Sequence, residues 1–125
     1  ADQWVLDAST NSVMRMGREG GLHYLVSGIV LTGSASADLT TYATRWLSNG
    51  NSSVIVANGA SVASGAAGTN GPLNGLTVGS NFAGTQRFFN GQLAFAGVYD
   101  GDPTVSNLWV DLQAWVLAEM GATLG

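Results

Sequence analysis

Glycine punctuation of short apolar runs constrains the fold of this chain most strongly. Two apolar runs, residues 76–78 and 93–99, are each bounded by glycines and are separated by a polar loop. Short apolar runs bounded by turn residues are typical of buried antiparallel strands. We therefore predict that both runs are core strands. The prediction of a double-layered β sandwich closed by one C-terminal helix depends on this, and it fails if the molecule is mostly helical or if residues 93–99 lie outside a sheet.

The composition agrees with a single all-β domain. The chain has 125 residues, of which 18 are glycine, 46% are hydrophobic and 10% are charged. Soluble domains ordinarily have about 25% charged residues, and disordered chains are poor in apolar residues. A glycine-rich, apolar chain of this length indicates many tight turns around a sizeable core. Cysteine is absent, and this absence does not determine whether the protein works in an oxidising or a reducing compartment.

The charge pattern disfavours two classes of partner. The net charge is −4, lysine is absent, and the cations are Arg15, Arg18, Arg45 and Arg87. Phosphate groups are bound by clustered cations, so we expect neither nucleic acid nor an anionic membrane as a partner. No signal peptide or initiating Met is visible, and we expect a chain trimmed or excised from something longer.

Turn signals divide the first half of the chain into short strands. We predict strands at residues 3–6, 13–16, 22–26, 29–31, 40–47, 53–57 and 61–63, with loops at 33–38 and 65–74. Gly20 and Gly21 are predicted to close one hairpin. Asn58 and Gly59 form the strongest hairpin signal, because a type I′ turn needs positive φ at both central positions.

The last part of the sequence changes to helical spacing. We predict a helix at about residues 105–119, with Thr104 as the N-cap and Gly121 just after the end. The apolar positions at this spacing are Val105, Leu108, Trp109, Leu112, Trp115, Val116 and Met120. We interpret both tryptophans as packed core and not as sugar-binding platforms. The helix should pack on a sheet edge or on the outer face of a sheet.

An ordered set of motifs resembles a known family. The motifs are Asn-Gly-x-x-Val at 58–62, Leu-Thr-Val-Gly at 76–79, Phe-Asn-Gly-Gln-Leu-Ala at 89–94 and Val-Tyr-Asp at 98–100, before the helix. Together they resemble the concanavalin A-like, laminin-G-type jelly-roll domains over about residues 4–117. Glycine-rich, lysine-free versions are similar to modules of bacteriophage tail and decoration proteins.

This resemblance implies an all-β, antiparallel two-sheet jelly-roll sandwich with one C-terminal helix. The rim loops of such domains bind carbohydrate, protein or calcium, and the family carries no universal catalytic set. Two features depart from the pattern. The chain starts a strand or two late, so its first strands are missing or are supplied by a partner. Phe95 replaces a common acidic residue, which favours burial of that face.

The residues that could carry catalysis are sparse. The single histidine, His23, is interpreted as a surface residue at a strand end, without the groups that make a nucleophile–base pair. Glycosidases need two carboxylates across a cleft. Here Asp100 and Asp102 lie close in sequence, but acids before a helix also suit its positive N-terminal end. We therefore expect no enzyme activity.

Two kinds of ligand site remain open. Calcium needs several oxygen ligands, and the loop acids Asp7, Asp38, Asp100 and Asp102 are weak candidates. A glycan needs an aromatic face with polar side chains beside it. The candidates for that site are Asn81, Phe82 and Arg87 in one loop, with Tyr42 and Trp46 on one strand face. For Trp46 we favour a place in the core.

These observations lead to two functional hypotheses. The first is a non-enzymatic interaction module, displayed on a virion, that adheres to a host-surface glycan or a protein through its rim loops. The alternative is a purely structural capsid or tail subunit that binds no ligand and is covered by other virion proteins. Both predict an oligomer or a part of a larger assembly.

Overall fold

Two antiparallel sheets and a C-terminal helix make up the computed structural model, which describes residues 2–8, 14–37, 40–70, 75–81, 83–101 and 105–124. The strands are β1 (Gln3–Asp7), β2 (Met14–Glu19), β3 (Leu22–Ser27), β4 (Val30–Ala35), β5 (Thr44–Leu47), β6 (Ser53–Ala57), β7 (Ala60–Gly65) and β8 (Thr77–Val78), and the helix is α1 (Asn107–Met120). The predicted mostly-β architecture with one C-terminal helix is confirmed.

The larger sheet has five strands in the order β4-β3-β2-β1-β8. The β2–β3 hairpin turns at Gly20 and Gly21, both with positive φ, as predicted. At Gly17 of β2 the neighbouring strand comes very close, because a Cβ there would lie 2.8 Å from the Cα of Trp4. Glycine therefore sets the close approach of β1 to β2.

The smaller sheet has three strands in the order β5-β6-β7. Its β6–β7 turn is Asn58–Gly59, with φ of 49° and 81°, which agrees with the predicted type I′ hairpin. Asn58 also holds the chain before β5. Its side-chain oxygen accepts the N–H of Ala43 at 2.8 Å, and its amide donates to the carbonyl of Thr41 at 3.3 Å.

The two sheets share a core between them. Leu25 of β3, Ile55 of β6 and Ala67 are fully buried and in contact, and the half-buried Met16 and Trp46 pack around them. Period-2 alternation places these side chains on the facing sides of the sheets. This cluster is the main apolar contact between the sheets.

Backbone hydrogen bonds from the segment after β7 tie the sheets together. The carbonyl of Ala67 accepts the N–H groups of Ser27 and Ile29 at 2.8 and 3.0 Å. The N–H of Ala67 donates to Gly50, between β5 and β6, at 3.1 Å. A single residue therefore bonds to both sheets.

The helix packs beside β5, the edge strand of the smaller sheet, where Arg45 lies over the ring of Trp109. Ser106 is its N-cap, and Gly121, at φ 63°, ends it. Trp109 and Val116 are buried with Ala43 and Leu124. Of the two predicted positions, a sheet edge or an outer face, the contacts with Ala43 and Arg45 support the edge. The predicted N-cap is wrong: Thr104 lies outside the described residues, and Ser106 caps the helix two residues later. Within the described residues, no helix has the length and apolar content needed to cross a bilayer.

Several predicted elements are wrong. Residues 93–99 form no strand and are exposed, so the jelly-roll interpretation loses the strand on which it was conditioned. Among the described residues, only the edge strand β8 pairs with β1 on that side, through two residue pairs. The predicted loop at 33–38 begins too early because β4 continues to Ala35, and β5 begins only at Thr44. Apolar runs bounded by glycine indicate where the chain is extended. Whether such a run is buried depends on whether another part of the protein packs over it.

Candidate functional site

The predicted binding loop is closed by its own hydrogen bonds. The side-chain oxygen of Asn81 accepts the backbone N–H groups of Thr85 and Gln86, both at 2.8 Å. Its amide donates to the hydroxyl of Thr85 at 3.3 Å. These bonds make Asn81 the organising residue of a turn. Phe82, the other loop candidate, lies outside the described residues.

Arg87 fastens this loop to the larger sheet. Its guanidinium forms an ion pair with Asp2, lies 4.0 Å from Glu19 and stands 5.0 Å from the ring centroid of Trp4. The backbone adds a bond, in which the N–H of Trp4 donates to the carbonyl of Arg87 at 3.1 Å. Arg87 has φ 56°, which a residue other than glycine adopts only when its surroundings hold it there.

A second arginine shares the same tryptophan. The guanidinium of Arg15 lies 4.7 Å from the ring of Trp4 and 5.2 Å from that of Tyr24, and it donates to the Tyr24 hydroxyl at 2.8 Å. Each such cation–π contact contributes about 0.5–2 kcal/mol, more where the groups are desolvated. We call Trp4, Arg15, Tyr24 and Arg87 the arginine–tryptophan cluster. It joins parts of the chain more than 80 positions apart.

Asp2 belongs to the edge of this cluster. Its carboxylate accepts the N–H of Gly20 at 2.9 Å. This hydrogen bond, helped by the charge of Arg87, lowers the pKa of Asp2 below its ordinary value despite partial desolvation. The carboxylate is therefore held in its charged form by the fold and serves the β2–β3 turn.

Tyr42 and His23 meet between the sheets. Their rings form an edge-to-face contact with centroids 4.9 Å apart, and the Tyr42 hydroxyl accepts the N–H of Ala37 at 2.9 Å. His23 is buried within β3, which corrects the prediction of a surface histidine at a strand end. Burial, helped by the charge of Arg18 on the neighbouring strand, lowers the pKa of His23. Both rings therefore have a packing role.

Trp46 has the core position that we favoured. It packs against the cluster of Leu25, Ile55 and Ala67, on the side of β5 opposite the helix. Its buried indole Nε1 has no hydrogen-bond partner among the described residues. The predicted pairing with Tyr42 on one strand face does not form, because β5 begins at Thr44 and Tyr42 precedes it.

The calcium candidates are not gathered into a site in the described part of the chain. Asp7 is fully buried in β1 and Asp100 is exposed, whereas Asp38 and Asp102 lie outside the described residues. No group of three or more His, Asp or Glu side chains that could hold a metal occurs among the residues described.

The most unusual feature is a surface that sequence reasoning placed in the core. Fifteen large apolar side chains are exposed among the described residues, and twelve of them lie after residue 75. Residues 93–99 and the uncovered sides of α1 meet where the rings of Phe95 and Trp115 come within 6.2 Å. We call residues 93–99 and these sides of the helix the C-terminal apolar surface. Trp115 is 41% exposed, so of the two tryptophans in the helix only Trp109 is buried as predicted.

Two concavities border this surface. An open groove of about 370 Å³ runs between α1 and the chain after it, lined by Val110, Gln113, Ala114, Leu117, Thr123 and Leu124. A small apolar cavity of about 30 Å³ lies where Val98 meets Leu6, Met16 and Leu76. Within residues 93–99, Val98 therefore lies beside the β1–β8 side of the larger sheet.

The charge distribution separates this surface from the rest of the molecule. Residues 88–125 contain Asp100, Asp102, Asp111 and Glu119 and no basic residue, whereas four acids and four arginines balance in residues 1–87. The whole net charge of −4 therefore belongs to the C-terminal part. This charge asymmetry is visible in the sequence, and it is a signal by which the C-terminal part could be distinguished as a candidate interaction surface.

Comparison of the chain with protein-family models, with curated proteins and with solved structures found no match.

Proposed function

We propose that this chain is a non-enzymatic interaction module that binds another protein through the C-terminal apolar surface. The observation that carries the proposal is the concentration of exposed apolar side chains on α1 and residues 93–99. Exposed apolar patches of more than a few hundred Å² mark interaction sites on soluble proteins. Binding a protein there removes this surface from water, which is the main driving force of association.

The proposal places the module in a virion, as a concanavalin A-like jelly-roll domain of the kind found in phage tail or decoration proteins. Its support is the ordered set of motifs, together with two antiparallel sheets and a closing helix. A protein partner also accords with the structural alternative, in which the domain is a capsid or tail subunit covered by its neighbours. The absence of strand structure at residues 93–99 counts against this family assignment.

Two observations favour a protein partner over a glycan or a substrate. Asn81 and Arg87, the described candidates in the predicted glycan loop, use their polar groups within the fold. The buried His23 packs against Tyr42, and the carboxylates of Asp2 and Glu19 lie beside arginines. These groups therefore have structural partners, which supports a binding role without catalysis.

A photo-crosslinking amino acid tests the proposal in the cells or particles that carry the protein. The probe replaces Leu117 in the groove beside α1 or, as the matched control, Thr32 on β4; both positions are exposed. We expect a protein adduct from position 117 and none from position 32. Adducts from both positions, or from neither, would contradict a dedicated protein-binding surface.

A further inference from the structure

The composition of α1 does not match its environment. Ten of its fourteen residues are apolar, yet only Trp109 and Val116 are buried. A helix that is apolar on all sides is characteristic of one that is covered on all sides. In this fold the contacts of the helix with Ala43, Arg45 and Leu124 bury only the side that carries Trp109 and Val116, so its other apolar side chains stay exposed in the described chain.

Two apolar stripes run along the uncovered sides. Leu108 and Trp115, seven residues apart, form one stripe, and Phe95 lies beside it. Val110 and Leu117 form the other stripe along the 370 Å³ groove. Residues seven apart lie on the same side of a helix, so each pair of side chains shares one side of α1 at a distance of two turns.

Carboxylates border the first stripe. Asp111 and Glu119 lie four residues before and after Trp115, which makes both of them neighbours of its side chain on the helix surface. Both residues are exposed. Residues 88–125 contain no basic residue, so this part of the sequence supplies no cation that could pair with these carboxylates.

A second copy of this chain would be a poor match for this border. Two facing copies would bring four carboxylates together. Three of the four arginines that could compensate them lie on aromatic rings of their own chain: Arg15 and Arg87 lie over Trp4, and Arg45 lies over Trp109, 5.3 Å from its ring. The fourth, Arg18, is in β2 of the larger sheet, away from α1 in the fold order. An anionic lipid surface would be repelled for the same reason.

Resting on the proposed function, we infer that the C-terminal apolar surface docks on a heterologous protein whose apolar contact area is bordered by lysine or arginine. The apolar stripes supply contact area, and Asp111 and Glu119 select the partner by charge. Complementary charge at the rim of an interface mainly sets specificity and the rate of association.

A pair of synthetic peptides tests this inference on the intact chain. Both are 14-residue amphipathic helices with the same leucine face, and their polar positions carry either lysine or glutamate. We expect the lysine peptide to bind at least about tenfold more tightly by fluorescence anisotropy, and its affinity to fall as salt is raised. The double variant Asp111→Asn, Glu119→Gln should lose most of this preference.

Neutral substitutions separate the apolar contribution from the charge. Leu108→Gln should weaken binding of the lysine peptide at least about fivefold, a loss expected when one well-packed leucine contact is removed. Ile29→Gln is the matched control, because Ile29 is equally exposed but lies between β3 and β4. It should leave the affinity unchanged, and circular dichroism should show that every variant retains the fold.

Each contrary result has a defined meaning. Equal affinity for the two peptides, or no binding of either peptide up to about 1 mM, would overturn the inference. A dimer seen by sedimentation velocity that Leu108→Gln disrupts would make a second copy the occupant. Binding to phosphatidylcholine vesicles that the same variant abolishes would make it a lipid surface. If position 117 crosslinks to a protein but the charge preference is absent, only this inference fails and the proposed function stands.

Discussion

Replacing one leucine in each of two apolar runs tests the central feature of the fold. Leu25 of β3 is 0% exposed between the sheets, whereas Leu93 is 44% exposed in the run that the sequence predicts to be a core strand. The predicted fold makes both residues core, and the structure makes only Leu25 core. Leu25→Ala and Leu93→Ala therefore have different expected costs.

The magnitudes follow from burial. Removing a fully buried leucine side chain costs about 2.7–5 kcal/mol, because the lost transfer energy is joined by the energy of the cavity left behind. Leu93 is only about half removed from water and leaves no enclosed cavity, so Leu93→Ala should cost about 1 kcal/mol or less. At an unfolding entropy of about 2.1 cal/mol/K per residue, 1 kcal/mol corresponds to about 4 °C in Tm for a chain of this length. Leu25→Ala should then lower Tm by about 10–20 °C, and Leu93→Ala by no more than about 4 °C.

Urea unfolding followed by tryptophan fluorescence measures both variants, with Ile55→Ala as a second fully buried position. The dependence of the free energy of unfolding on urea should be unchanged in all three, so that midpoint shifts report stability. If Leu93→Ala is as destabilising as Leu25→Ala, residues 93–99 are buried in the isolated chain. The assignment of the C-terminal apolar surface would then be wrong.

Three further predictions follow from particular contacts. The pKa of His23 is lowered in the fold, so its contribution to stability is fully present above the unfolded pKa of about 6.5 and is lost as pH falls towards the folded pKa. The urea midpoint should therefore fall between pH 7 and 5. The variant His23→Gln should lack the part of this fall that His23 causes. Gly17→Ala should destabilise by about 1–3 kcal/mol or more in urea unfolding, because a Cβ would press on the backbone of β1; a neutral effect would refute the close strand approach. Asn58→Ala should lower the free energy of unfolding by about 2 kcal/mol in urea unfolding, since it removes two hydrogen bonds and strains a turn at positive φ. Asn58→Gly keeps the turn but loses the hydrogen bonds, so it should lower the free energy of unfolding less.

Much of the fold could be predicted where a few adjacent residues determine the local conformation. The turn at Gly20–Gly21 and the turn at Asn58–Gly59 need positive φ, and the residues that adopt it most readily stand there. The helix was predicted to within about two residues, because its apolar spacing and the glycine after it are local signals. At β4 the predicted loop begins too early because Gly33 and Ser34, which are typical of turns, lie within the strand. At β5 no turn residue marks the start at Thr44.

The candidate site could not be predicted in the same way. The sequence indicates Asn81 and Arg87 only as polar residues in a loop. In the fold Asn81 closes a turn, whereas Arg87 pairs with Asp2 and stacks on Trp4. Such roles depend on partners far along the chain. The local signal of the C-terminal apolar surface is the acidic end of the sequence, which has four carboxylates and no basic residue after Arg87.

The sequence by itself determined where this chain turns, where it is extended and where it becomes helical, because those choices depend on the conformational preferences of a few adjacent residues. Only the tertiary structure decided which apolar segments are covered. The run in β3 is buried because the smaller sheet packs over Leu25, while residues 93–99 have no such cover. Burial is a property of the whole arrangement, since an apolar side chain leaves water only where another part of a protein meets it.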